Sequence, residues 1–124
     1  MRIRSVLVLL AVCLLSACSG PGNFFRAYEY EEEMYLSLDG TATLYVNSSV
    51  AALNALRGTS FDANPATQPE KRDIETYYSS PNTEVTRITF SSRNNRRYIH
   101  VRMDVKNVEA LGASAPFNWS TYSF

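Results

Sequence analysis

The sequence predicts an α+β fold, an antiparallel sheet of about five strands with short helices packed on one face. Three observations support this prediction. Apolar and polar residues alternate with a period of two in four separate stretches. Two stretches with helical spacing lie between the second and third of them, and turn signals or polar loops join the strands. The predicted element order is β-β-α-α-β-β-α-β, preceded by a signal segment.

The first predicted hairpin joins residues 28–38 to residues 41–46. In its first strand, apolar side chains alternate with acidic and polar ones, and the apolar side carries Tyr30, Met34, Leu36 and Leu38. Asp39 and Gly40 form a strong two-residue turn signal. The alternation then resumes, and it places Ala42, Leu44 and Val46 on one face of the second strand.

Two short helices are predicted after this hairpin. Asn47, Ser48 and Ser49 offer N-cap side chains before residues 50–57, and Gly58 is placed to end that helix. Residues 59–68 are predicted to be a loop. Residues 70–78 form the second helix, which begins after Pro69 and is closed by Pro81.

The rest of the chain is predicted to be a second hairpin, a short helix and a last strand. The hairpin strands are 84–90 and 97–105, joined by a polar loop over 91–96. Asn107 caps one helical turn that Gly112 stops, and residues 117–124 form the fifth strand. An exposed aromatic edge strand is a liability, so we expect a C-terminally truncated form of a longer protein.

The N-terminus has the features of a bacterial lipoprotein signal peptide. Two arginines precede an apolar stretch that is too short to span a membrane. The stretch ends in Leu15-Ser16-Ala17-Cys18, which resembles a lipobox. We therefore expect a signal peptide over 1–17, cleavage between Ala17 and Cys18, and a lipidated Cys18 with a flexible tether over 18–26. The alternative is an ordinary secretory signal that is cleaved near the same place.

A lipoprotein signal peptide predicts where the domain lies and whether it can form a disulfide. Acyl chains such as palmitate on Cys18 would hold residues 27–124, a single α+β domain, at the cell envelope. Residue 19 is Ser rather than Asp, which favours the outer membrane, with the domain facing the periplasm. Cys13 would leave with the signal peptide, so no disulfide is expected. The mature chain would keep ten basic and twelve acidic residues, and we therefore expect no nucleic-acid partner.

Charged residues cluster in two places, an acidic run at Glu29 and 31–33 and a basic group later in the chain. The basic group is formed by Arg93, Arg96, Arg97, Arg102 and Lys106. We expect the two clusters to form cross-strand pairs. The alternatives are a calcium site, for which the looped ligand pattern is missing, and contact of the basic hairpin with anionic lipid head groups. No metal site or cofactor is predicted.

His100 is the single histidine, and its phase puts it on the polar side of its strand. We expect a solvent-exposed sheet residue, because no Cys partner for zinc and no Gly-x-Ser-x-Gly motif accompany it. The C-terminal aromatics are expected to pack or to line a partner groove. The predicted interaction surface comprises Phe117, Trp119, Tyr122 and Phe124 with Arg93, Arg96 and Arg97.

The cysteine-ended signal, the acidic strand that closes on Leu38-Asp39-Gly40 and the capped helix after it resemble uncharacterised bacterial lipoproteins of the acidobacterial type. More remotely they are similar to LppM-like membrane-anchored domains. The resemblance implies the location and an α+β domain, and it transfers no active site.

The sequence thus favours a membrane-anchored envelope lipoprotein that is a non-enzymatic binding or interaction module. Its expected partners are the membrane, through the lipid on Cys18, and an envelope protein or a lipid. The alternative is a small-ligand-binding or hydrolytic domain with a pocket between helices and sheet.

Overall fold

The computed structural model describes residues 28–123 and confirms an α+β fold built on an antiparallel sheet. The sheet has four strands in the order β1-β2-β4-β3. The elements are β1 (Tyr30–Leu36), β2 (Ala42–Ser49), α1 (Val50–Arg57), α2 (Lys71–Tyr78), β3 (Thr83–Arg93), β4 (Arg96–Val105) and two 3₁₀ helices, Val108–Ala113 and Ala115–Phe117. The predicted signal peptide over 1–17, the tether over 18–26 and Phe124 lie outside the described residues.

The two central strands carry the core, as their period-two alternation predicted. Leu44 lies opposite Met103 and Val46 opposite Val101, and all four side chains are buried. Because successive side chains of a strand point to opposite faces, these residues form one apolar inner face. The two α-helices and the 3₁₀ helices pack on this face through the remaining buried side chains, Val50, Leu53, Ile74, Tyr78, Val108, Leu111 and Phe117.

The first helix begins and ends at the predicted residues. The Ser49 hydroxyl accepts a hydrogen bond from the amide of Ala52 at 3.0 Å, and Gly58 adopts a left-handed φ of 70° after the last turn. The spacing of Leu56 from Val50 and Leu53 predicts that it shares their apolar side, but Leu56 is exposed. An eight-residue helix on a sheet buries only a narrow stripe, and Val50 and Leu53 fill it.

Both hairpins depart from the prediction at their turns. β1 ends at Leu36 rather than Leu38, whose side chain is 99% exposed, and residues 37–41 form the connection. The predicted loop over 91–96 is wrong, because the strands run on to Arg93 and Arg96. Asn94 and Asn95 alone make the turn, with φ of 50° and 59°. Positive φ at both central residues is the geometry of the tight hairpin turn, and asparagine tolerates it.

A bulge in β3 changes the face of the sheet on which Thr86 lies. The alternation within residues 84–90 predicts that Thr86 shares a face with Ile88 and Phe90, but Thr86 is exposed at a shift of register between Val85 and Arg87. The extra residue of a bulge reverses the side-chain phase before it. Val85 therefore packs against the core together with Ile88 and Phe90.

The predicted fifth strand is wrong for the residues that the structure describes. Residues 115–117 form a 3₁₀ helix, and the chain then turns back. Gly112, predicted to stop the preceding helix, lies within it. A Cβ atom at Gly112 would be 3.0 Å from the Ser120 carbonyl oxygen, so the glycine permits the close return of the chain.

Candidate functional site

The outer face of the sheet carries a broad groove. The helices of residues 28–123 pack on the inner face, and none of them covers the outer side chains of the strands. The groove has a volume of about 510 Å³. It is lined by Tyr28, Glu31, Asn47, Ser91, Ser92, Arg93, Tyr98 and His100.

A chain of three side chains forms the floor of this groove. The Nδ1 atom of His100 lies 2.8 Å from the Asn47 Oδ1 atom, and its Nε2 atom lies 2.7 Å from the Ser91 hydroxyl oxygen. The sheet register brings them together, because Asn47 lies opposite His100 across the β2–β4 pair. Thr89 lies opposite His100 on β3, and Ser91 is two residues further along on the same face.

The imidazole of His100 is neutral at physiological pH. Partial burial in the groove lowers its pKa below the ordinary value of 6.5, and the positive charge of Arg93 lowers it further. An amide oxygen can only accept hydrogen bonds, so the Nδ1 atom carries the proton that is donated to Asn47. The Nε2 atom therefore accepts the hydrogen bond from Ser91.

Opposite charges lie at the two ends of the groove. Glu31 stands on β1, at one edge of the sheet, and Arg93 stands on β3, at the other edge. The Arg93 guanidinium is held 4.4 Å from the centre of the Tyr98 ring by a cation–π contact. One ligand in the groove can therefore contact both the Glu31 carboxylate and the Arg93 guanidinium.

The predicted cross-strand charge pairs form only in part. β2 lies between β1 and β4, so the acidic strand does not neighbour the basic hairpin. The described residues contain one ion pair, between Glu29 and Arg96 at 2.9 Å. Both side chains are about half exposed, so this pair contributes little to stability.

A second, smaller groove continues the first along the outer face. Its volume is about 190 Å³, and Asn47 and His100 line both grooves. Arg87 and Arg102 add two guanidinium groups to this end, and Arg102 lies 5.9 Å from the centre of the Tyr45 ring. Asn47 and His100 therefore stand where the two grooves meet.

The structure separates the predicted interaction residues. Phe117 was predicted on an interaction surface and this is wrong, since its side chain is fully buried against Tyr78 and Tyr122. Trp119 is half exposed on the inner side of the sheet, with the Arg57 guanidinium 4.2 Å from its ring. Arg97 also points inward and donates to the carbonyl oxygens of Pro65 and Thr67. Among the members of the set that the structure describes, Arg93 and Arg96 lie on the outer face.

Sequence reasoning missed Asn47 and Ser91. Asn47 was interpreted as a helix cap and Ser91 as part of a loop, whereas both are strand residues. The outward phase of Thr43 and Tyr45 extends to Asn47, which is a signal that the sequence does contain. The β2–β4 pairing that sets Asn47 beside His100 is a tertiary contact, and no local pattern reports it.

The space between helices and sheet is filled. Fourteen core residues there are at most 6% exposed, and both grooves of the candidate site lie on the opposite face. Within residues 28–123, the acidic and histidine side chains form no group of three that could hold a metal ion. In the same part of the chain, no helix has both the length and the hydropathy to cross a membrane.

Comparisons with protein-family models, with curated proteins and with solved structures found no match to this chain. The candidate site is therefore interpreted from its own geometry.

Proposed function

We propose that the protein is a membrane-anchored lipoprotein of the bacterial envelope whose domain binds a small polar ligand on the outer face of the sheet. The observation that supports this most is the groove of about 510 Å³ on a sheet face that no helix of residues 28–123 covers. Its floor is fixed by the hydrogen-bonded chain of Asn47, His100 and Ser91. Such fixed polar groups confer orientation and specificity on a binding site.

The charges of the groove indicate the class of ligand. Glu31 pairs with Asn47, in the same row as His100 and Thr89, and Arg93 lies four residues beyond Thr89 on β3, so the two backbones are about 19 Å apart. The Arg93 guanidinium lies back over the Tyr98 ring on β4, which shortens this gap, so a ligand with a cation and an anion about 10 Å apart fits between the two charges. A short peptide with free termini has this charge distribution, because three extended residues span about 10 Å.

The basic hairpin tip is less suited to a lipid head group. The guanidinium of Arg93 stacks on Tyr98, that of Arg96 pairs with Glu29, and that of Arg97 donates to three backbone carbonyl oxygens. Each cation of the tip is thus engaged within the domain. A surface that attracts anionic lipids needs cations that are free to reach the membrane.

Trialanine with free termini is expected to bind the outer groove. Titration into the ¹⁵N-labelled full-length protein should shift the amide resonances of Asn47, Ser91 and His100. The variants Glu31→Gln and Arg93→Gln should each weaken binding about tenfold, because each removes one charge-assisted contact. Arg72→Gln is the matched control, since Arg72 lies on α2, which packs on the inner face.

The capped peptide, N-acetyl-trialanine amide, separates charge recognition from general adhesion. It has the same backbone and neither charge, so it should bind at least tenfold more weakly. Equal binding of both peptides, or equal weakening by Arg72→Gln, would contradict the proposal. Shifts that are spread over the whole chain would contradict it as well.

The anchor is tested separately from the ligand. Expressed in a diderm host, the native chain should yield an N-terminal peptide that begins with a lipid-modified Cys18 in mass spectra of the outer-membrane fraction. Cys18→Ala should be unprocessed or released, because the lipid supplies the hydrophobic anchor. Ser16→Thr is a matched control that keeps Cys18. An unmodified N-terminus and a soluble product of the native chain would refute the anchor and leave the groove untouched.

A further inference from the structure

The three side chains on the floor of the outer groove have the order of a nucleophile, a base and a residue that orients the base. Asn47 accepts the Nδ1 proton of His100 at 2.8 Å, which leaves the Nε2 lone pair for the Ser91 hydroxyl at 2.7 Å. A serine hydroxyl within hydrogen-bond reach of an oriented histidine is the arrangement used for acyl transfer.

We propose that Ser91 is an activated nucleophile that hydrolyses an ester bound in the outer groove. This inference goes beyond ligand binding, and it would place the domain in the hydrolytic class that the sequence left as its alternative. Its ligand would be a small ester that fits the charged groove described above. The groove is open to solvent at Ser91, whose side chain is exposed, so an ester can reach the hydroxyl.

The reaction would proceed in two balanced steps. In the first, the Ser91 Oγ atom bonds to the ester carbonyl carbon while His100 Nε2 takes its proton. The carbon–oxygen bond to the leaving alcohol breaks, and the alcohol departs with that proton. In the second step, water attacks the acyl-serine, His100 takes one proton from the water and returns it to Ser91, and the carboxylic acid is released.

Arg93 is placed to stabilise the negative charge of the intermediate. It follows Ser91 by two residues on the same face of β3, about 7 Å away along the backbone. Its guanidinium is fixed by the Tyr98 ring at 4.4 Å and lines the same groove. A preorganised cation beside the reacting carbon lowers the energy of a developing oxyanion.

His100 has the correct charge state for a general base. The charged groups that share the outer face with it are Glu31 and Glu33 on β1, Arg96, Arg102 and Asp104 on β4, and Glu84, Arg87 and Arg93 on β3. Partial burial and the Arg93 charge lower the pKa of His100 below its usual value. The imidazole therefore stays unprotonated and able to accept a proton at neutral pH and somewhat below.

The test uses the full-length protein with a fluorophosphonate probe and with p-nitrophenyl acetate. Peptide mass spectrometry should locate the phosphonyl group on Ser91. Ser91→Ala should abolish this label, and His100→Gln should slow the labelling at least about 100-fold. Ser37→Ala is the matched control, because Ser37 is an exposed serine in the connection between β1 and β2 and lines neither groove.

Asn47→Asp distinguishes a role of Asn47 in orienting the His100 base from a purely structural hydrogen bond. A carboxylate at this position would stabilise the imidazolium that forms when Ser91 loses its proton. The rate of p-nitrophenyl acetate hydrolysis should rise about tenfold, and the acidic limb of the pH profile should move to higher pH. Asn47→Leu should lower the rate.

Three outcomes would overturn the proposal. One is a folded protein, judged by circular dichroism, in which Ser91 takes up no label. The second is labelling of Ser91 that His100→Gln leaves unchanged. The third is an Asn47→Asp variant with the rate and pH profile of the native chain. None of these outcomes bears on the binding of trialanine, so the ligand proposal stands or fails independently.

Discussion

Replacing Phe117 by alanine is expected to lower the free energy of unfolding by about 3–5 kcal/mol. The Phe117 side chain is fully buried and its ring centre lies 6.0 Å from that of Tyr78 and 6.2 Å from that of Tyr122. The substitution leaves a cavity between α2 and the C-terminal segment and removes two aromatic contacts. Urea unfolding followed by circular dichroism measures the change.

Leu38→Ala is the matched control for this loss. Leu38 is apolar and 99% exposed at the connection between β1 and β2, so its removal should change stability by less than about 0.5 kcal/mol. If Phe117→Ala were as mild as Leu38→Ala, the C-terminal segment would not be part of the core. That result would return Phe117 to the interaction surface that the sequence predicted.

The protein is expected to lose stability as the pH rises above 10, and buried tyrosines are the cause. Burial raises the pKa of Tyr78 well above its usual value of 10.0. Burial also raises the pKa of Tyr30 and of Tyr122, and the carboxylate of Glu32, which accepts hydrogen bonds from both hydroxyls, raises them further. These phenols ionise in the unfolded chain before they ionise in the folded one.

The direction of the pH effect follows from proton counting. Below pH 10 the tyrosines are protonated in both states, so their contribution to stability is fully present. Above pH 10 the folded state holds more protons than the unfolded state, and stability falls as pH rises. Tyr78 alone should cost about 1.4 kcal/mol per pH unit in that range. The more exposed Tyr30 and Tyr122 should add less, because solvent screens their interactions.

Tyr78→Phe tests the assignment. Among the described residues, the Tyr78 hydroxyl has no hydrogen-bond partner, so its removal should leave stability at pH 7 unchanged or raised by about 1 kcal/mol. The same variant should flatten the decline above pH 10. Tyr35→Phe, at a position that is 62% exposed, is the control and should leave the alkaline slope as it is. An identical slope for Tyr78→Phe and the native chain would contradict the assignment.

Local patterns sufficed to predict most of the elements. The alternation in β2 and β4 and the cap at Ser49 were recognisable because they depend on neighbouring residues alone. The last strand was wrong because aromatic residues favour strands and also fill cores. Phe117 follows Pro116 into a 3₁₀ turn that only its burial against α2 explains.

The candidate site was harder to predict, since it depends on the order of the strands. His100 was correctly placed on the polar face of its strand, but its partners come from 53 residues before it and 9 residues before it. The strand order β1-β2-β4-β3 brings them together, and strand order is set by the packing of the whole domain. The prediction that the acidic and basic clusters pair across strands was mostly wrong for the same reason, because β2 lies between β1 and the basic hairpin.

The difference between the apolar inner face and the charged outer face of the sheet determines which positions can change without loss of the fold. The inner face contains nearly all of the buried apolar side chains, whereas the outer face contributes hydrogen bonds and charges near the surface. On the proposed function, substitutions at outward positions such as Glu31, Ser91 and Arg93 would alter ligand binding while the fold persists. One scaffold can in this way supply a set of related proteins with different ligands.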